Sequence, residues 1–350
     1  MKHHYPFILL LLVLISAAQD TTSDLEIQVQ AAHQVAFPTE EGKFYQLHTA
    51  TSLDSEDWVP IGAPIIGDGE PYSLTQTAEG EVRRFYKAEE LNEQWVLVWS
   101  DEFGGTSLDY TKWGKEENNY GGGNNEAQYY STAEKYVSVA DGYLNISVYK
   151  DSHTSVDGKT SSYTSGRIRS LQRGDWTYGR YEVRAKVPGG EGIWPAVWML
   201  PSDGTIYGTW ASGGEIDILE SKGSDVTRTI GSIHFGGAWP ANQYRSGSYT
   251  LPSGTFSSQF VTYAVEWHED RIDWFVNDTR YQSITKEQWN SAAAPDSDTA
   301  PFDQPFHLIM NVAVNGGFFN GTTQDANNLP DTAFPQTLQV DYVRVYQWAE

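Results

Sequence analysis

An all-β fold, a sandwich preceded by a small β-rich module, follows from three features of this sequence. From Trp95 onward, short alternating stretches such as Leu144-Asn145-Ile146-Ser147-Val148 recur at regular spacing, the grain of half-buried strands. Turn formers separate them, with 32 Gly and 15 Pro in 350 residues. No stretch holds a helical period, which argues against a parallel α/β design.

Taken in order, the chain opens with Lys2, His3 and His4, an apolar run from Phe7 to Ile15, then Ser16-Ala17-Ala18. A positive start, an apolar run and small residues read as an export signal over residues 1–18, cut after Ala18. The run is too short to span a membrane as a helix, and no later stretch is long enough. A secreted, extracellular, soluble protein is expected.

Residues 19–90 read as the small module. Leu25, Ile27 and Val29 alternate, as do Tyr45 and Leu47, and Trp58 to Ile61 and Val82 to Tyr86 suggest further strands. Trp58, Tyr72 and Tyr86 are candidate rings for stacking on glycan; the alternative is that they form the core of a domain with little else to bury. Ala88 to Gln94 reads as a polar linker. The larger domain, residues 91–350, has long strands at Tyr178 to Val187 and Val261 to Val276, a loop from Ser291 to Asp303, and a last strand from Leu338 to Tyr346.

Composition narrows the partners. A net charge of -23 repels nucleic acid and anionic membranes. With no cysteine, disulfides and thiolate metal sites are excluded. Aromatics reach 14% of the chain, with 13 Trp and 21 Tyr, and flat rigid rings suit sugar stacking as well as core packing. A monomer acting on a neutral substrate is the expectation.

The densest chemistry lies in Gly213-Gly214-Glu215-Ile216-Asp217-Ile218-Leu219-Glu220. Glu215 and Asp217 alternate with Ile216 and Ile218, the period of a half-buried strand. Strict alternation would turn Glu220 to the apolar side. A β-bulge at Ile218-Leu219 puts two residues in one pleat position and returns Glu220 to the acidic face. Glu215 and Glu220 then lie four pleat positions apart, roughly 13 Å between Cα atoms at about 3.3 Å per residue. Side chains leaning roughly 4 Å toward each other leave about 5 Å between the carboxyls, the separation of a retaining glycosidase. A solvated acidic face and an acidic calcium patch are the other readings of this segment, because like charges crowded together need a use or a counter-ion.

Other motifs give the strand its context. Trp99-Ser100-Asp101-Glu102-Phe103, Asn124 to Tyr130, Gly166-Arg167-Ile168, Trp194-Pro195-Ala196-Val197-Trp198-Met199-Leu200 and Asp341 to Tyr346 occur in that order around it. Together they resemble glycoside hydrolase family sixteen, specifically its laminarinase-type endo-β-1,3-glucanases, over about Trp95 to Tyr346. The resemblance implies a jelly-roll sandwich, concanavalin A-like, with β-1,3-glucan lying in a groove across one sheet. It implies retaining double displacement, with Glu215 as nucleophile, Glu220 as general acid/base and Asp217 orienting Glu215. Trp194 and Trp198 would stack on glucosyl rings, and Asn125 and Arg167 would hold sugar hydroxyls. Glu126 would brace its loop, His234 would hydrogen-bond within the site, and Trp239 would line the cleft.

No cofactor is needed for this chemistry. The resemblance does imply a structural calcium held by Glu102, the Gly142 carbonyl and Asp341, an oxygen-only set that suits the ion. Two departures from the family's pattern stand out: Trp210-Ala211 in place of Trp-Pro, and Gly316-Gly317-Phe318-Phe319 in place of Gly-Gly-x-Trp. The five-residue step from Glu215 to Glu220 is also found in relatives that degrade agar and carrageenan. A sulfated galactan would want basic contacts, for which Arg167 and Arg245 are the candidates. An agarase- or carrageenase-like hydrolase therefore remains an alternative, as does a transglycosylase. A non-catalytic β-glucan-binding protein is disfavoured because both glutamates are present.

Overall fold

The computed structural model describes residues 11–17, 27–41, 43–54, 57–77, 84–91, 95–319 and 329–348. The chain divides into two compact units, residues 1–98 with 347–350, and residues 99–346. Among the described residues, no helix is long and apolar enough to cross a membrane.

The first unit holds two three-stranded antiparallel sheets. In one, Phe44–Ala50 lies between Val59–Ile66 and Phe85–Leu91. In the other, Ile27–Phe37 lies between Leu11–Ala17 and Tyr72–Thr77, so part of the apolar run near the start of the chain is a strand. Residues 1–10, Ala18, Leu25, Val82 and residues 92–94 lie outside the described residues.

Val35, Phe37, Tyr45 and Leu47 form the core of this unit, with Tyr72 and Tyr86 packed against it. Two of the three candidate stacking rings thus serve the core. The third, Trp58, lies under the Lys87 ammonium at 5.2 Å. The polar stretch expected to be a linker differs too. Ala88 to Leu91 continue a strand, with Ala88 opposite Leu47 and Leu91 opposite Phe44. Its glutamates fit there because the outer face of an edge strand is solvated.

The second unit is a sandwich of two eight-stranded sheets. In the outer sheet, Gly179–Lys186 alternates strictly: Tyr181, Val183 and Ala185 are fully buried. Between them Arg180 joins Glu182 at 2.6 Å and Glu266 at 2.7 Å. Period-two patterning therefore fixes which face meets the core.

The facing sheet carries the site. Its main strands are β1 (Gly114–Lys115), β2 (Arg167–Arg169), β3 (Ile193–Pro201), β4 (Glu215–Glu220), β5 (Arg228–Gly236), β6 (Asn242–Thr250) and β7 (Phe306–Val314). Across the sheet they run β6-β5-β4-β3-β7-β2-β1. All nine residues of β7 are buried, as expected of a central strand covered on both faces. Between the sheets, Trp267 meets Phe306 edge-on at 5.2 Å. Trp274 reaches across to donate its indole N–H to the Asp217 carbonyl at 2.8 Å. Gly231 makes room for that approach: a Cβ there would stand 2.3 Å from the Trp274 ring.

Candidate active site

Gly214 introduces β4 with φ +88°, and a Cβ at that position would meet Pro301, Phe302 and Phe306 at 3.1 Å each. Only glycine suits both demands. Along β4, Ile216, Ile218 and Leu219 are all buried, and two adjacent apolar residues facing inward require a bulge. The register shows it. On β3, Trp198 and Ala196 pair with Asp217 and Glu220, so one strand has an extra residue. On β5, Glu215 pairs with His234 and Glu220 with Ile230, five steps against four. The sequence-based expectation of a bulge at Ile218-Leu219 is met, and it brings Glu215, Asp217 and Glu220 to one face.

Each glutamate has its own set of partners. Trp210 donates its indole N–H to Glu215 Oε2 at 3.1 Å. His234 Nε2 lies 3.6 Å from Glu215 Oε1 and 3.4 Å from Asp217 Oδ2. Asp217, its side chain only 4% exposed, thus meets Glu215 through a shared imidazole. At the other end, Trp194 Nε1 donates to Glu220 Oε1 at 3.0 Å and the Ser232 hydroxyl to Oε2 at 3.3 Å.

Burial raises the Glu215 carboxyl well above its usual range, and Asp217 and Glu220 add to this, while His234 and the Trp210 N–H pull it back. Glu220 is raised to about 8, by burial first and then by Asp217, against the lowering effect of His234, Trp194 and Ser232. Burial alone would depress His234, but Asp217, Glu215 and Glu220 outweigh it and lift the imidazole to about 9. Burial thus favours a proton on the glutamate pair, and the raised His234 imidazole stands beside Glu215 as its counter-charge. A carboxylate nucleophile and a carboxylic-acid proton donor are what such an arrangement can supply.

The groove residues take up more varied places. Trp194 is 9% exposed, and Phe318 is stacked on its ring at 4.5 Å. Trp198 carries the Arg167 guanidinium over its ring at 4.9 Å and donates to Asn311 Oδ1 at 2.8 Å. Arg167 is buried and paired with Glu116 at 3.1 Å. Asn125 is exposed, at φ +58°. Glu126 accepts from Gln128 at 2.7 Å and Tyr130 at 3.4 Å, the bracing expected of it. Trp239 is 74% exposed. Arg245 pairs with Ile233 while Tyr244 pairs with His234, so strand alternation turns Arg245 to the face opposite the acids.

Several members of the site were given no role there from the sequence. Trp210 and Ser232 hold the two glutamates. Tyr244 stands opposite His234 on β6, stacked on it at 5.8 Å. Asn311 bridges Trp198 and the Tyr130 hydroxyl, the latter at 3.0 Å. Its signal was available: it is the polar residue inside the apolar run Leu308 to Val314.

For metals, the register places Gly142 near Asp341, since Leu144 pairs with Val340. Glu102, however, is held by Arg344 at 2.9 and 2.8 Å, and Asp341 by Arg184. A calcium ion held by this set would have to displace both guanidinium groups. Glu215, Asp217 and His234 present ligand atoms within 4.8 Å of one another, but the protonated imidazole already supplies the positive charge there.

A jelly-roll sandwich with paired, differently partnered glutamates on one sheet defines a glycoside hydrolase. The family model described as "Beta-porphyranase A-D, GH16 domain" matches residues 95–348. The chain belongs to glycoside hydrolase family 16. It is 45% identical over 262 residues to a glucan endo-1,3-beta-glucosidase A1 of Niallia circulans, covering 72% of this chain but 38% of that relative. It is 41% identical over 263 residues to a beta-glucanase of Rhodothermus marinus, covering 73% and 86%. The crystal structure of the laminarinase from Rhodothermus marinus superposes with a TM-score of 0.62 at 39% identity, over 73% of this chain and 98% of that one.

Proposed function

We propose that this protein is a secreted, endo-acting, retaining hydrolase of β-1,3-glucan. Glu215 attacks the anomeric carbon while Glu220 gives its proton to the leaving oxygen. A water that gives its proton to Glu220 then attacks the anomeric carbon, the bond to Glu215 breaks, and the sugar leaves with its anomeric configuration retained. The observation that carries this reading is the bulged strand, which presents both glutamates on one face, with His234 3.6 Å from Glu215. Three crowded acids, two of them raised by burial, favour one retained proton, and the His234 charge favours ionising another. The names of the relatives support β-1,3-glucan as the substrate. The start of the chain, with its export-signal pattern, supports secretion.

The description of the matching family model favours a second reading, a galactan hydrolase. Basic contacts for sulfate are the feature it needs, and Arg167 is paired with Glu116 while Arg245 turns away from the acids. That favours the neutral glucan. Reducing-end release from laminarin, mixed-linkage glucan, agarose and porphyran separates the readings. Release from laminarin as a ladder of oligosaccharides is expected; release from agarose or porphyran alone would replace the glucan reading.

A further inference from the structure

We propose that Phe318 is a positioning residue for the general acid, fixing the Trp194 indole that holds Glu220. This rests on the assignment of Glu220 above. The Phe318 ring lies nearly parallel to Trp194, 15° between planes and 4.5 Å between centroids. The Lys222 ammonium stands over the same ring at 4.9 Å and over Phe319 at 5.6 Å. With an indole stacked on it and an ammonium over it, Phe318 is packed as a clamp and is not an open platform for sugar. A cation over an aromatic face and an offset ring stack each contribute a modest attraction.

What the clamp holds is the chemistry. Trp194 sits on β3 two residues before Ala196, which pairs with Glu220. Its N–H reaches Glu220 Oε1 at 3.0 Å. Backbone alone leaves the indole free to rotate about its side-chain bonds; Phe318, from the loop after β7, removes that freedom. The second ring, Phe319, is buried beside Trp194 and Ala313 and anchors the loop from beneath. The pair Phe318-Phe319 thus stands where the family pattern places other residues.

An N–H bonded to a carboxylate favours its ionised form. Loosening the clamp should therefore make Glu220 harder to ionise and a poorer proton donor. The test is Phe318→Ala, with Phe318→Tyr as the conservative variant and thermal melting to verify folding. Carbon-13 NMR of labelled glutamate, with Glu220→Gln identifying the resonance, follows the Glu220 titration directly. The expected result is a rise in its midpoint in Phe318→Ala and recovery in Phe318→Tyr. On substrate, kcat for the polysaccharide should fall at least about tenfold, within the range of general acid catalysis. The kcat/KM for an aryl β-glycoside with an activated leaving group, whose departure needs no proton, should fall less than twofold. An unmoved Glu220 midpoint in a folded variant, or equal losses on both substrates, overturns the proposal. Because the titration needs no polysaccharide, a mistaken substrate assignment would leave it readable.

Discussion

At one end of β4, Glu215 faces a protonated imidazole and the N–H of a half-exposed indole; at the other, Glu220 faces a buried indole N–H and a serine hydroxyl. The residue type is the same, the strand is the same, and both side chains are largely removed from water. What differs is the set of atoms in contact: an imidazole 3.6 Å from Glu215, and an indole N–H and a hydroxyl on Glu220. Burial raises both carboxyls and the His234 charge lowers both, so contact geometry is what separates them. The comparison teaches that the division of labour comes from the neighbouring strands. β5 supplies His234 beside one acid and Ser232 beside the other, because the bulge shifts the register between them.

The largest effects come from removing either acid. Glu215→Ala should lower kcat on the order of 10⁴-fold or more, the scale of losing a nucleophile. Glu220→Ala should lower kcat/KM on polysaccharide by roughly 10²- to 10⁴-fold, with kcat/KM for activated aryl glycosides spared. In the intact enzyme, activity should fall as pH rises past about 8, where Glu220 loses its proton. That upper limb should be missing from the residual activity of Glu220→Ala.

His234→Gln addresses the comparison itself. His234 lowers the Glu215 pKa, so its loss should move the lower limb of the pH–rate profile to higher pH. A fall in kcat of about tenfold to a hundredfold at neutral pH would accompany a shift of one to two pH units, from the arithmetic of one tenfold step per unit. A profile that loses height without shifting would show that His234 acts by shape and not by charge.

Asn311→Leu lies further out. It strips the Trp198 N–H of its acceptor in a buried place, which should cost about 1–3 kcal/mol of stability. Chemical denaturation measures the loss, with kcat changed by less than the His234 variant. The smallest effect is a gain. Folded Glu220 keeps its proton to about 8 against an ordinary value of 4.5, so the folded state binds more protons between those values and stability falls as pH rises through them. Glu220→Gln removes that loss. Its melting temperature should exceed that of the parent by a few degrees at pH 8, and the difference should shrink toward pH 4.5.

Much of this site was legible in the sequence because strand periodicity is local. Glu215, Ile216, Asp217, Ile218, Leu219 and Glu220 carry both the face and the bulge within six residues. His234 could be placed because a short turn joins its strand to β4. The partners of the tryptophans could not. Trp198 and Asn311 are 113 residues apart, and Trp194 and Glu220 are 26 apart, so only the strand order brings them together. Alternation puts Trp194 and Trp198 on one strand face, but says nothing about which neighbours cover their rings. Ala88 to Leu91 were misjudged for a similar reason: polar residues mark a linker and an edge strand alike, and pairing with Phe44–Ala50 decides between them.

Azide rescue tests the central assignment most directly, because azide occupies the space left by whichever carboxylate is removed. With Glu215→Ala, attack from the vacated nucleophile side should give the α-glycosyl azide; with Glu220→Ala, azide should intercept the glycosyl-enzyme and give the β-glycosyl azide. The reverse pair of anomers would contradict the roles assigned to the two ends of β4.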